Sequence, residues 1–595
     1  MKLLSYFYDS ENNKKISLVA IAFIYFLFGA VLLFLRNPDP FINPVIYAED
    51  GTWSALALRE GWWHALINSR SDYFVFINTI ILFLASKISI LFSGNPLTLL
   101  PQAIAVVSFS FFSGVATFAF ITVRQISSSV LGGIAFLAVL LIPLGATQNE
   151  IIGRALQVGF YMPIISVFLL FWRNIVTGLY KTTLIDFFIL LCAATNPFVF
   201  AVCFLYLSLG FFKRSSIKSF FLKNVSLVAP LLVLMFFLLP RMGGKGGIQQ
   251  DFLVDNFIEA LIARPIVYPF VFPWYQSFSD GLAIIGLFLF VAIVLFSYFK
   301  SRDNDSRFLI LLSSLTIIFY SLATIVMRPG LTALLSNYST TFPDRYFMGI
   351  NVLVVFLFIV SVGQIIKDKY FKFFGMSILA AFSGLCLYWN SYIFEWSLSK
   401  YPIKSSLNFS EQLCVSEPID GTPNSSIQIY PLPAWKMVVP SKYINKYGCM
   451  YSSLDDAGLT RENDVYRMQP SVQLDVLNKI KIYMTLSHQE QSAELKRVGI
   501  MFGTYVRQNP GEAELRLSGI DGSSFIQRFS LPDLADNQYR YFYLDSKNYM
   551  EGEIVSLSGG GISTWESHDE KGGIHTCIIY EYVDGKRKFT PGCPL

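Results

Sequence analysis

From Ile16 to about Tyr392 the sequence alternates long apolar runs with short polar joints, and this segregation limits the possible folds more than any other feature. The first run, ISLVAIAFIYFLFGAVLLFL, carries no charge. A helix needs about 17–25 such residues to cross a bilayer, where every backbone polar group must be paired within the protein. The run ends in Arg36-Asn37-Pro38 rather than a small-residue cleavage site, so it reads as a retained span and not a signal peptide. The 56 Phe among 595 residues suit a lipid-facing surface and argue against a soluble chain.

The pattern predicts about eleven spans, at 16–36, 74–93, 97–123, 128–146, 158–176, 183–211, 225–240, 281–299, 308–327, 347–366 and 374–393. The joints KRSSIKSFFLK (213–223), KSRDNDSR (300–307) and KDKYFK (367–372) are basic, as is the N-terminus with Lys2, Lys14 and Lys15. Positive joints face the cytoplasm. The longer joints 37–73, 241–280 and 328–346 are poorer in Lys and Arg and are expected to face outward. An odd count of spans puts residues 394–595 outside as well. Between 124 and 182 the charges Arg124, Arg154, Arg173 and Lys181 give no bias, and the side of RQISSS and TQNEIIGR stays open.

The chain therefore divides into a transmembrane part, 1–395, and a soluble part, 396–595. The tail alternates apolar and polar residues in SSIQIYPL, VGIMFGTYV, AELRLSGI, SSFIQRFSL and YRYFYLD, separated by Gly, Pro, Asn and Asp. That is the pattern of an antiparallel β-sandwich or jelly roll. Its four cysteines, Cys414, Cys449, Cys577 and Cys593, suggest two disulfides in an oxidising compartment. Pairing of sequence neighbours, Cys414–Cys449 and Cys577–Cys593, is preferred among three possibilities. Cys192, Cys203 and Cys386 lie in apolar runs and behave as small hydrophobes.

The membrane part has one histidine, His64, and no HExxH, P-loop or Cys/His spacing that would hold a metal. Acid–base chemistry would fall to carboxylates. Glu49 and Asp50, in NPVIYAEDGTWSAL, are the adjacent acidic pair of an outward joint, and carboxylates beside lipid are costly unless used. The following TWSALALREGWWHALIN reads as short helices on the bilayer surface with Trp53, Trp62 and Trp63 as anchors. The alternative is that Glu49 and Asp50 cap the next helix, and the residues leave both readings open. Arg241, Lys245, Arg264 and Tyr268, with Asp344 and Arg345 in STTFPDRYF, are candidates to hold a phosphate. Snorkelling at helix ends is the plainer use of such cations. Asn149, Glu150 and Arg154 are weaker candidates. Trp435, Tyr505, Tyr541 and Trp565 could stack on sugars or fill the tail's core.

Span one, the acidic pair in AEDG, then GWW…NSRSDY…N and a second span resemble the GT-C superfamily of membrane glycosyltransferases. Within it, the pattern is most similar to bacterial O-antigen glucosyltransferases that change serotype and are encoded beside a lipid-glucose flippase and synthase. The PDRYF joint fits, and GTYVRQNPGEAELRL, FSLPDLADNQYRYFYL and SGGGISTWES look like a β-sandwich module appended to such enzymes. The resemblance implies a GT-C-like helical fold and an inverting hexosyltransferase in the bacterial inner membrane, with the tail in the periplasm. The donor would be a sugar, glucose first, on a polyprenyl phosphate, and the acceptor an O-antigen or other polysaccharide. The base would be Glu49 or Asp50, with Asp50 preferred as the residue opening the amphipathic helix. Trp62, Trp63, Asp72 and Tyr73 would meet the acceptor or the interface. Some members use a divalent metal at the acidic loop, but no third ligand stands out here, so no cofactor is expected. Nucleic acid is not an expected partner. A flippase or transporter of lipid-linked oligosaccharide is the main alternative, although no repeat suggests alternating access. An acyltransferase would want more histidine, and a polysaccharide receptor would use the tail alone.

Overall fold

A computed structural model describes residues 18–593 apart from 145–147, 213–216, 243–255, 329–330, 336–337, 339–343, 396–407, 431–434, 445–466, 485–493, 506–507, 520–521, 546–548, 569–572, 584–586 and 591. The chain forms two compact units. The first comprises Met1–Pro38, Trp62–Ala85 and Ala103–Leu398, and the second Asp39–Gly61, Ser86–Gln102 and Ser399–Leu595.

The first unit is a multi-pass helical membrane bundle. Among the described residues, nine helices of the chain are long and apolar enough to span a bilayer. Contacts along the helices fix their directions. Arg36 closes the helix Leu18–Arg36 and donates to Gln148 Oε1, Leu140 O and Ile142 O at 2.7, 2.9 and 2.7 Å. Lower down the same helix, Ser113 of Leu100–Ile126 donates to Phe26 O. Ile126 O, at the far end of that helix, accepts from Gln364 and Lys367. One end of the bundle thus carries Ile126 and the end of Asp344–Lys367, together with the ion pair Lys300–Asp368. This is the basic end. The other end carries Arg36 and residues 148–161.

Two expected spans behave differently from the sequence reading. Ser108, early in Leu100–Ile126, donates to Arg154 O, and Asn78, early in Phe76–Ser93, donates to Ala155 O. Both therefore start from the Arg36 end. Leu100–Ile126 then descends to the basic end, so Phe76–Ser93 adds no net crossing despite its apolar composition. The expected span at 183–211 is instead two helices, Leu179–Thr195 and Phe198–Phe212, broken at Asn196-Pro197. Asp186 and Tyr206 both contact the Arg173 guanidinium. In one continuous helix these positions would stand about 30 Å apart, so the two helices form a hairpin. One crossing is lost and one gained, and the odd count survives. Among the described residues, the expected 128–146 is helical at Ser129–Leu140 and continues without helical structure to Leu144.

The second unit is β-rich. Strands Ile480–Tyr483, Tyr549–Gly559, Gly511–Gly519 and Ser524–Ser530 make an antiparallel sheet in that order. A larger antiparallel sheet is built around Leu495–Gly503, flanked by Gln538–Tyr543, Ile578–Tyr582 and Ser563–His568. Alternation does the sorting: Val498, Ile500 and Phe502 meet Leu515, Leu517, Phe529 and Ile554 between the sheets, while Met501 faces the other way with Tyr539, Cys577, Ile579 and Phe589. This is the expected β-sandwich. Cys577 and Cys593 are bridged, and Cys414 is disulfide-bonded. Cys449 lies outside the described residues. Cys192, Cys203 and Cys386 are free.

Candidate active site

The acidic pair belongs to the second unit, because its segment completes the tail's small sheet. Residues 44–47 run extended beside the tail: Phe409 N donates to Pro44 O, Tyr430 N to Ile46 O, and Ala48 N to Tyr430 O. The rings of Tyr47 and Tyr430 pack 5.3 Å apart. The chain then turns abruptly into the helix Ala48–Glu60. Ala48 makes the turn at φ +40°, a left-handed conformation unfavourable for a residue with a Cβ. Gly51 lies against the tail, and a Cβ there would collide with Ile429 Cδ1 and stand 2.8 Å from Ile46 Cγ2. Arg59 Nη1 reaches Val438 O at 3.0 Å. The glycine of AEDG is thus required by close packing.

The N-cap position of this helix is Tyr47, without a side-chain cap bond. Glu49 and Asp50 follow within the first turn, where the helix dipole favours negative charge but neither side chain occupies the cap. Asp50 is 1% exposed and Glu49 half-buried. Trp53, expected at the bilayer surface, is buried instead, because its helix packs on the tail's strands. Among the tail aromatics, Trp565 Nε1 donates to Asn537 Oδ1 and Tyr541 lies beneath the Arg497 guanidinium, while Tyr505 is exposed and Trp435 half-buried.

The other candidates lie in the first unit. Arg345 Nη1 donates to Glu150 Oε2 at 2.9 Å, and Nη2 donates to Tyr346 Oη at 3.1 Å. Arg328 lies over the same Tyr346 ring, with its Cζ 4.3 Å from the centroid. Asp344 opens the helix Asp344–Lys367, but its side chain is outside the described part. Arg154 is buried, and its carbonyl accepts from Ser108. Arg241 donates to Ile67 O and covers the Phe74 ring. Lys245 lies outside the described residues. Asp72 receives a bidentate contact from Arg70 at 2.8 and 2.9 Å, and Arg70 also stacks on Tyr73. Burial pushes the Asp72 carboxyl up, but the Arg70 bonds and charge outweigh it and hold it below its ordinary value. Trp62 packs edge-on against Phe83, and Trp63 is exposed.

Arg264 and Tyr268 sit in a second, closed cluster. The segment Glu259–Val267 is a π-helix, which brings Glu259 and Arg264 to one side although an α-helix would turn them apart. Arg264 Nε is 3.8 Å from Glu259 Oε1, and its guanidinium lies between Tyr268 and Tyr275, 4.8 and 4.6 Å from the ring centroids. Glu259 accepts from Tyr275 Oη at 2.9 Å and Tyr338 N at 3.2 Å, and Tyr338 Oη donates to Asp280 at 2.8 Å. Burial raises the Glu259 carboxyl, and Arg264, Tyr338 and Tyr275 offset only part of that rise. Arg264 is fully buried, so in this conformation it braces the bundle and offers no surface to a ligand. Glu259, Tyr275, Tyr338 and Asp280 were not legible as a group, because α-helical spacing would set Glu259 apart from Arg264 and the other three come from separate positions along the chain. Arg328 was missed because it stands alone after an apolar run. Among the described residues no three His, Cys, Asp or Glu side chains gather as a metal site.

No protein-family model matches the chain, and no curated protein matches it. Solved structures that match include the Archaeoglobus fulgidus oligosaccharyltransferase in complex with zinc and sulfate, at 9% identity over 95% of this chain and 98% of that one, with a TM-score of 0.34. The same enzyme tethered through a disulfide bond to an acceptor peptide containing the NVT sequon gives 10% identity, 96% and 97% coverage and a TM-score of 0.35. Arabinosyltransferase EmbB from Mycobacterium smegmatis gives 12% identity, 96% and 66% coverage and a TM-score of 0.27. Scores this low establish no shared fold, and the functional argument rests on the residues described above.

Proposed function

We propose that this chain is a GT-C-type inverting glycosyltransferase of the bacterial inner membrane. It moves a hexose, glucose first, from a polyprenyl phosphate to an O-antigen or other lipid-linked polysaccharide on the periplasmic side. A serotype-converting role, with a donor-lipid synthase and flippase as partners, is the specific form of this reading. The observation that carries it is the acidic pair: two adjacent carboxylates follow a strained residue, in a helix whose cap is another residue. Backbone strain of this kind concentrates at functional sites.

The chemistry needs little more. An acceptor hydroxyl attacks the anomeric carbon as the bond from that carbon to the phosphate oxygen breaks. The hydroxyl proton passes to a carboxylate, and the electron pair leaves with the lipid phosphate. One base and one cationic clamp on the leaving phosphate suffice, and the leaving group needs no acid. Glu49 is partly open and can touch a hydroxyl whereas Asp50 is buried, so the base is assigned to Glu49 and Asp50 is given a positioning role. This reverses the roles that the sequence suggested. Of the described candidate phosphate-holding cations, all in the first unit, Arg345 and Arg241 are partly open while Arg264 and Arg154 are buried, and Arg345 is preferred for a phosphate because Arg328 stands beside it over the Tyr346 ring. The basic end of the bundle would face the cytoplasm.

The test is transfer by the full chain in nanodiscs, with polyprenyl-phosphoglucose and lipid-linked O-antigen. Inverted product and stoichiometric polyprenyl phosphate are expected. Movement of the intact donor across the bilayer without sugar transfer would support the flippase reading instead.

A further inference from the structure

Four side chains of the first unit form a small charged constellation: Glu150, Arg328, Arg345 and Tyr346. The two guanidiniums share one ring, with Cζ atoms 4.3 and 4.9 Å from the Tyr346 centroid. Tyr346 is itself held edge-on by Phe160, whose carbonyl accepts from Tyr320 Oη. The constellation is therefore braced from behind. The two cations are not equivalent. Arg345 is in contact with the Glu150 carboxylate at 2.9 Å, whereas no carboxylate contacts Arg328 among the described residues. All four side chains are partly open to solvent. Two guanidiniums around an aromatic edge suit the oxygens of a phosphate, since Arg offers its donors as a planar fork. A carboxylate held at hydrogen-bonding distance from one of them repels any further negative charge brought there.

We propose that Glu150 is a specificity-determining residue: by occupying Arg345 it fits the Arg328–Tyr346–Arg345 cluster to a singly charged lipid phosphodiester and disfavours a lipid diphosphate. The inference rests on the donor-phosphate reading of Arg345 and adds to it Arg328 as a second clamp and Glu150 as the charge limiter. A diphosphate brings one more negative charge than a phosphodiester, and that charge must lie near the Glu150 oxygen or displace it. Displacement would break a charge-assisted pair and leave the carboxylate without Arg345. A phosphodiester can be held by Arg328 beside the Glu150–Arg345 pair and leave that pair intact.

The experiment is binding of two defined probes to the full chain in nanodiscs: the methyl ester of farnesyl phosphate, with one negative charge, and the P2-methyl ester of farnesyl diphosphate, with two. Wild type is expected to prefer the first. Glu150→Gln keeps shape and removes charge, and it should shift the ratio toward the diphosphate by about tenfold or more, the effect of one charge at hydrogen-bonding range. Glu150→Asp should retain the wild-type preference. Arg328→Met should weaken both probes together. A ratio unchanged in Glu150→Gln, or a wild type that favours the diphosphate, overturns the proposal. Failure of both probes to bind wild type overturns it together with the phosphate assignment of this cluster. The transferase reading would stand or fall separately on turnover in the Glu49 and Asp50 variants.

Discussion

Arg345 Nη1 donates to Glu150 Oε2 at 2.9 Å, and this contact ties the first turn of Asp344–Lys367 to TQNEIIGR, whose side the sequence left open. The two segments lie at the same end of the bundle, away from Ile126 and Lys367. In spheroplasts, Glu150→Cys should react with a membrane-impermeant maleimide. Lys181→Cys, beyond Arg173 at the basic end, should react only after permeabilisation. The reverse pattern would invert the assigned topology.

The acidic pair is expected to act in chemistry and not in capping. A general base contributes about 10²–10⁴-fold in rate. Glu49→Gln should lose transfer on that scale while the protein still accumulates. Asp50→Asn should lower the rate less and alter its pH profile, as a group acting through Glu49 would. Loss on the larger scale only in Asp50→Asn would return the base to Asp50. Normal turnover in both single variants and the double variant would remove the pair from the mechanism.

The Arg173–Asp186 pair lies within the bundle, with Tyr206, Asn224 and Lys223 O as further partners of the guanidinium. Asp186→Leu strands a buried cation, which costs about 3–5 kcal/mol. A fall in the thermal midpoint in detergent should expose this. Arg173→Met combined with Asp186→Leu should recover most of it, because the desolvated charges leave together.

Gly51→Ala should destabilise the second unit by about 1–3 kcal/mol, the usual cost of an overpacked site. Its new methyl meets Ile429 Cδ1. Pairing it with Ile429→Ala opens that space, and recovery of the thermal midpoint in the double variant is the expected result. No change in the single variant would mean that the helix is not seated against the tail as described.

Cys577 and Cys593 close a loop of sequence separation 16 across the outer face of the larger sheet. Replacing both with serine should cost about 3 kcal/mol by the chain-entropy estimate for such a loop. Unfolding of wild type under reducing and non-reducing conditions gives the same comparison. Equal midpoints would count against a formed bridge.

The kind of protein was legible in the residues alone. Long uninterrupted apolar runs mark membrane helices, and the alternation in AELRL turns its apolar residues to one face of a strand. These are local properties of periods 3.6 and 2, so they are legible without coordinates. The acidic pair was legible too, because two adjacent carboxylates in an apolar setting demand a use. Tertiary structure decided what depends on partners far away in sequence. Phe76–Ser93 is as apolar as a span, and only the contacts of Asn78 and Ser108 remove it from the count of crossings. The run at 183–211 looks like one helix until Asp186 and Tyr206 meet on Arg173. The π-helix at Glu259–Val267 places Arg264 in an aromatic cage that no α-helical spacing would predict. Most of all, the segment bearing Glu49 and Asp50 folds with the tail through Tyr430 and Ile429, residues nearly four hundred positions away. Burial of Asp50 and partial exposure of Glu49 follow from that packing, which no property of their own neighbourhood in the sequence encodes.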